Sequence, residues 1–278
     1  MMSDKSIKIS ILCEDQAKMG FTDKIFSAQH GLSLFVEADR RILFDTGATG
    51  IFIDNAGLLG IDVSTADWIV LSHGHWDHTN GLKALHDKNM KKMKLLVHPG
   101  AFIDRRKASG RYNGMCYNRD QMSQIFDLVL STKPCKLSDH IYFLGQIPRI
   151  NDFESRETTF FYFNEGNKLP DFVLDDTALA IGTEKGLVII TGCSHAGICN
   201  IVEYARRVTR QNKVFAVLGG FHLLGDPVQL QRTIKYFHKN KVEHLYPMHC
   251  TDLSALSKFY EAFEIKKLCT GDTVNIQP

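Results

Sequence analysis

Apolar positions in the first half of the chain fall mostly in short runs and alternations, a strand pattern more than a helical one. Residues 7–13 (IKISILC) alternate and predict a strand, and 32–37 (LSLFVE) with 41–45 (RILFD) predict a hairpin rich in β-branched and aromatic residues. Residues 50–58 carry helical spacing, 67–72 (DWIVLS) a continuous apolar strand, and 94–98 (KLLVH) another strand. A helix is expected from near Thr79 through Leu85. Residues 99–127 have no clear period and suit an irregular lid. Strand signals return at 127–131, 141–144 and 158–163, followed by a hairpin, 177–182 and 187–191, turned by Thr183–Gly186. The remainder reads as helix 197–209, strand 213–218, helix 228–239, strand 243–247, helix 252–262 and strand 265–268. A mostly β first half and an alternating second half predict an α/β fold in layers, with two sheets packed together and helices outside. No repeat, low-complexity tract or linker divides the sequence, so one domain over residues 1–278 is expected.

Composition narrows the function. Of 278 residues, 44% are apolar, enough for a large core; 33 Lys/Arg against 31 Asp/Glu give a net charge of +2. That balance supplies no general argument for nucleic acid or a membrane surface. The seven cysteines are odd in number and widely spaced, with no CxxC pair, which fits reduced thiols better than a disulfide framework. The N-terminal segment has only a short apolar run broken by Lys and Glu, unlike a signal peptide, and no stretch approaches the roughly 18 apolar residues of a membrane span. The expectation is a soluble, cytoplasmic protein.

The chemistry concentrates in Ser72-His73-Gly74-His75-Trp76-Asp77-His78, directly after a buried strand. His73 and His75 are two apart and point to the same side of an extended chain, where they can grip one cation. Asp77 and His78 follow as the chain turns into a helix and can aim at a second position. Imidazole and carboxylate donors suit zinc, iron or manganese. Gly74 is expected to give the backbone freedom between the two ligands. Three later histidines, His195, His222 and His249, each follow an apolar strand and should emerge at one sheet edge.

These motifs resemble those of the metallo-β-lactamase superfamily, whose signature is HxHxDH after a strand. The resemblance implies a four-layer αββα sandwich and a centre of two metal ions, with zinc the first expectation and iron or manganese the others. It implies His73, His75, Asp77, His78, His195 and His249 as metal ligands, with His249 matching the superfamily's final ligand. It further implies Asp45, in Asp45-Thr46-Gly47, as a carboxylate behind them that orients the histidines. The chain departs from the pattern at one place: Thr191-Gly192 is present, but Cys193 stands where a bridging aspartate is usual, and His195 follows. No histidine fills an earlier ligand slot; His140 precedes a strand and sits poorly. Cys193 as a bridging thiolate and His222 as ligand or substrate contact are left open. Within the superfamily, residues 192–198 (GCSHAGI), 219–223 (GGFHL) and 247–251 (PMHCT), with Asp175-Asp176 and 145–149 (GQIPR), resemble the group similar to the archaeal 7,8-dihydropterin-6-methyl-4-(β-D-ribofuranosyl)-aminobenzene-5'-phosphate synthase.

The implied activity is hydrolysis or group transfer on an anionic, phosphorylated or pterin-like small molecule. A metal-held hydroxide would attack, its water acidified from 15.7 toward about 7; Asp77 and His222 are the catalytic candidates. Residues 83–111 carry nine Lys/Arg against two Asp, read either as attraction for an anion or as a solvated surface, and Arg149 is the single candidate anion contact. Tyr112, Tyr117, Phe153 and 160–163 are candidates to line a flat-ring pocket, or simply to pack. Two other readings stay open: a di-iron oxidoreductase on the same fold, although no flavin-binding segment is evident, and a ligand-binding protein without catalysis. Homo-oligomerisation is compatible with the sequence. A β-lactam hydrolase fits poorly, given the altered later motifs.

Overall fold

The computed structural model describes residues 6–19, 24–87 and 92–277. Strands β1 (Ile7–Cys13), β2 (Ser33–Glu37) and β3 (Arg41–Phe44) form an antiparallel meander. Helix α1 (Ile51–Leu58) then leads to β4 (Trp68–Val70), α2 (Trp76–Thr79), α3 (Leu82–Asp87), β5 (Lys94–Val97), β6 (Arg105–Arg106), α4 (Arg119–Ile125) and β7 (Asp127–Leu130). The second half runs β8 (Cys135–Lys136), β9 (Ile141–Phe143), β10 (Phe161–Asn164), β11 (Asn167–Pro170), β12 (Ala178–Thr183), β13 (Gly186–Thr191), α5 (Ile198–Thr209), β14 (Val214–Gly220), α6 (Pro227–Asn240), β15 (His244–Met248), α7 (Leu253–Ala262) and β16 (Thr273–Ile276).

Two large sheets result, ordered β16-β1-β2-β3-β4-β5-β7 and β15-β14-β13-β12-β9-β8, with a small sheet β11-β10-β6 beside them. The period-2 pattern sorts each strand's side chains between layers. Leu34, Val36, Ile42 and Phe44 face the core between the sheets, where they join Phe143, Ile181, Val188, Ile190 and Leu218. Their neighbours Phe35, Leu43, Ile69 and Leu95 point outward, under Phe52, Leu82, Leu85 and Met122 of α1, α3 and α4. On the far side Leu187, Ile189 and Val217 pack under Val202, Phe237 and Phe259 of α5, α6 and α7. The layers are therefore αββα, as expected. Sheets covered on both faces need near-continuous apolar strands, which is what LVIIT and WIVLS are.

Three expectations about elements are corrected. Residues 265–268 are not a strand; Ile265 and Leu268 are buried in the two hydrophobic cores on either side of the second sheet, and the last strand is Thr273–Ile276, paired with β1 through Ile7↔Ile276. Residues 99–127 are not wholly irregular, because α4 is held by a reciprocal capping box between Asn118 and Gln121. The single helix expected near Thr79–Leu85 is two short ones, α2 and α3.

Strand direction positions the site. β3, β4, β5 and β7 run parallel, as do β13, β14 and β15. Their C-terminal ends therefore lie on one edge of each sheet, the place where α/β sheets present ligand sites. β1 is antiparallel to β2, which is antiparallel to β3, so the end of β1 falls on that edge too.

Candidate metal centre

Six of the sequence-predicted residues converge at this edge in two triads. In the first, His73 Nε2 lies 2.9 Å from His75 Nδ1, which lies 3.1 Å from His195 Nε2. In the second, His249 Nε2 lies 3.2 Å from His78 Nε2 and 3.5 Å from Asp77 Oδ2, with Asp77 Oδ2 3.9 Å from His78 Nε2. Each triad's ligand atoms all lie within 4.8 Å of one another.

Asp45 organises both triads from behind. It is fully buried at the end of β3, with φ 55°. Its carboxylate accepts from the Ser72 backbone N–H (2.7 Å), the Ser72 hydroxyl (2.7 Å) and His78 Nδ1 (2.7 Å). Because the Ser72 hydroxyl donates to Asp45, it accepts from His73 Nδ1 at 2.9 Å. That assignment leaves the lone pairs of His73 Nε2 and His78 Nε2 turned into the site. His222 and His249 are also left-handed at strand ends, with φ of 47° and 45°. Each such conformation costs about 1–3 kcal/mol and persists only where its surroundings enforce it.

The electrostatics of the triads differ. Burial, followed by the charge of neighbouring imidazoles, pulls His73 and His195 well below the usual histidine range; for His75 burial is followed by Arg105. All three are neutral, and their nitrogens face one another at hydrogen-bonding distance without enough protons between them. Converging lone pairs with no proton to share are stabilised by a cation, so the residues present fit a metal ion. In the second triad burial pulls His249 down, but hydrogen bonds to Asp15 and Asp77 outweigh it and hold the imidazolium well above its usual range. Burial opposes ionisation of Asp77, yet His78 and His249 keep its carboxyl well below the ordinary value.

The structure adds residues that the sequence did not single out. Asp15 Oδ1 accepts from His249 Nδ1 at 3.1 Å, and Glu14 accepts from the His249 backbone N–H at 2.9 Å and from Lys267. His30 bridges Asp15 and Asp77 at 3.3 Å each and is half exposed at the mouth. Glu14 and Asp15 directly follow β1, and counting strand directions would have placed them at the site edge. Arg105 was grouped with the basic surface; it is instead fully buried. Its Nη2 donates to Asp175 Oδ1 (2.6 Å) and the Gly100 carbonyl (3.0 Å), and its Nε lies 3.3 Å from Asp171. Asp175 in turn accepts from the Gly74 N–H at 2.8 Å, so this ion pair braces the loop between His73 and His75. Gly74 serves close approach rather than backbone freedom, since a Cβ there would run into the Ala101 carbonyl. Of the other basic residues, Lys88 and Lys91 lie outside the described residues, and Arg106 pairs with Asp104 at the surface.

Arg149 stands apart from the ligands. It donates to Ser155 Oγ (2.7 Å) and to the carbonyls of Phe172 (2.6 Å) and Val173 (3.1 Å), which ties two loops together rather than leaving a free anion contact. His222 lies with its ring 4.3 Å from that of His195, and its Nδ1 has no hydrogen-bond partner. It lines a cavity of about 590 Å³ with His195, Phe160, Phe153, Arg156 and Arg232. Phe160 packs edge-on to His75 at 5.0 Å. Tyr112 and Tyr117 are turned elsewhere, toward the Met115 carbonyl and His86.

A model of the metallo-β-lactamase superfamily matches residues 29–92. The 7,8-dihydropterin-6-methyl-4-(β-D-ribofuranosyl)-aminobenzene-5'-phosphate synthase of Methanocaldococcus jannaschii is 37% identical over 275 residues, covering 93% of this chain and 92% of that one. The chain belongs to the metallo-β-lactamase superfamily. A second M. jannaschii protein, the uncharacterized MJ0448, is 38% identical over 238 residues, covering 84% of this chain and 89% of that one. The crystal structure of Tm1679, a metal-dependent hydrolase of the β-lactamase superfamily, matches with a TM-score of 0.84 at 28% identity, covering 98% of this chain and all of that one. Metallo-β-lactamase folds bind metal ions, typically two, and the two triads are groups of side chains that could hold them here. Among the described residues no helix is long and apolar enough to cross a membrane.

Proposed function

We propose that this protein is a metal-dependent enzyme that hydrolyses, or transfers a group within, an anionic small molecule bearing a flat ring, of phosphorylated or pterin-like kind. The observation that carries the reading is the convergence of His73, His75 and His195 beside Asp77, His78 and His249. Zinc is the first candidate, iron or manganese the alternatives; two bound cations would supply Lewis-acid activation of a substrate oxygen and of water.

The chain's own groups divide the remaining work. Ionised Asp77 would help hold a cation at the second triad and would orient the attacking group. The unpartnered Nδ1 of His222, on the cavity wall, is placed to exchange a proton with substrate. Phe160 and Phe153 offer apolar faces for a ring, and Arg156 and Arg232 give the rim positive charge. If water attacks, its oxygen bonds to the electrophilic centre, the leaving oxygen departs with the bonding pair, and a proton passes to it; in transfer, an acceptor nucleophile takes the place of water. The synthase among the relatives favours transfer, whereas Tm1679 favours hydrolysis. Seven free thiols support a reducing, cytoplasmic setting.

The test is a screen of the metal-loaded protein on phosphoesters, carboxyl esters and pterin-related phosphates, with and without an acceptor. Turnover should vanish on chelation and return with the cation, and Arg156→Glu should raise KM for anionic substrates. Undiminished turnover by fully chelated protein would remove the reading.

A further inference from the structure

We infer that Cys193 is a thiolate ligand shared by both cation positions, so that the centre holds a sulfur donor among its imidazoles and carboxylate. The inference rests on the metal-centre reading above and concerns the one position where the chain's donor pattern departs from aspartate.

The geometry places the thiol on the seam between the triads. Cys193 Sγ lies 3.1 Å from His78 Nε2. It falls within 4.8 Å of the ligand atoms of His73 and His78 on one side, and of His249 and Cys250 on the other. It therefore lies within reach of donors of both triads, His73 of the first and His78 and His249 of the second. A buried cysteine is ordinarily a small apolar filler, but a filler directs its sulfur at carbon, and this one faces imidazole nitrogens whose lone pairs point inward.

The local backbone is built to present it. Cys193 stands two residues after Thr191, the last residue of β13, and a Cβ on the intervening Gly192 would collide with Ser72 Oγ. The next residue, Ser194, is left-handed with φ 63°, and its hydroxyl donates to the Gly220 carbonyl at 2.6 Å while pairing with Thr191 Oγ1 at 2.9 Å. These contacts pin the turn with the Cys193 side chain directed at the seam. The second thiol has a different task. Cys250 Sγ donates to the Cys193 carbonyl at 3.3 Å, lying against Gly220, where any Cβ would displace it. Cys250 is thus a positioning residue for Cys193.

The chemistry balances simply. On binding, the S–H bond breaks, the sulfur's electron pair goes to the cation, and the proton leaves to solvent. The thiolate supplies the negative charge that a carboxylate would, so charge at the seam is conserved while the donor becomes soft. Soft sulfur beside imidazole favours zinc or iron over magnesium or manganese.

The experiment is zinc X-ray absorption on the zinc-loaded protein, supported by the near-ultraviolet spectrum of the cobalt form. A sulfur shell at about 2.3 Å should accompany nitrogen and oxygen neighbours at about 2.0–2.1 Å, and the cobalt protein should show a sulfur-to-metal charge-transfer band. Both signals should disappear in Cys193→Ser and in Cys193→Asp, the latter keeping a charged ligand if serine disturbs folding, and both should survive in Cys250→Ser. Loss in Cys250→Ser with retention in Cys193→Ser overturns the assignment. Two bound zinc ions with only nitrogen and oxygen neighbours overturn this inference alone; a folded protein that takes up no cation overturns the metal-centre reading with it.

Discussion

The two triads share imidazole donors, but only the second carries a carboxylate, and their imidazoles are shifted in different directions. His73, His75 and His195 are neutral because burial strips them of protons, and the positive Arg105 stands nearby. Asp77, His78 and His249 sit among carboxylates, and a proton held on His249 between Asp15 and Asp77 occupies the role a cation would take. The first triad's imidazoles would take a metal without losing a proton of their own, whereas His249 in the second would give one up. One edge thus carries one triad whose imidazoles are pushed toward the neutral form and a second in which His249 is held toward the protonated form.

Breaking the support behind the first triad should have the largest effect. Arg105→Ala leaves Asp171 and Asp175 buried without their counter-charge, which should cost about 3–5 kcal/mol in urea unfolding. Residual folded protein should lose metal from the first triad before the second, because Asp175 holds the Gly74 backbone. Asp45→Asn strikes both triads together, since one carboxylate orients His78 directly and His73 through Ser72. Competition with a chromogenic chelator should show both affinities lowered about 10–100-fold. Equal metal affinities in Asp45→Asn and the parent protein would show the two triads to be independent of that carboxylate.

Acid should separate the triads. Below the raised pKa of His249, cation uptake by the second triad releases one proton more than uptake by the first, beyond any from the shared Cys193. Its affinity should then climb about tenfold per pH unit as pH rises, while the first triad's lacks that extra slope. Calorimetry in two buffers of different ionisation enthalpy counts the protons directly. The smallest effect belongs to Arg106→Ala, one residue along from Arg105. Its surface pair with Asp104 is part exposed, and the loss should be about 0–1 kcal/mol with no change in metal content.

Much of this arrangement could be read from residue order. The HxHxDH run after a buried strand, and histidines after three further apolar strands, bring distant donors to one edge for the simple reason that parallel strands end together. The layers followed from strands apolar on both faces. What escaped is what depends on three-dimensional neighbours. Arg105 sits in the run Asp104-Arg105-Arg106-Lys107, and nothing local marks the one guanidinium that meets two buried carboxylates. Asp15 and His30 look like turn residues, because their meaning lies in contacts with His249 and Asp77, more than 200 and more than 40 positions away respectively. Arg149 looked like a free cation until the carbonyls of Phe172 and Val173 were placed beside it. The segment 265–268 (IKKL) has apolar residues only at its two ends, without strand alternation, and β1 has its edge partner in Thr273–Ile276, so Ile265 and Leu268 are buried outside any strand.

Metal counting on gel-filtered protein by plasma mass spectrometry, with His75→Ala and Asp77→Ala beside the parent, decides whether two adjacent cation positions each depend on their own triad. About two cations per parent chain and about one in each variant are expected. A parent chain free of metal after incubation with zinc, iron or manganese, or variants that retain the full complement, would contradict that expectation.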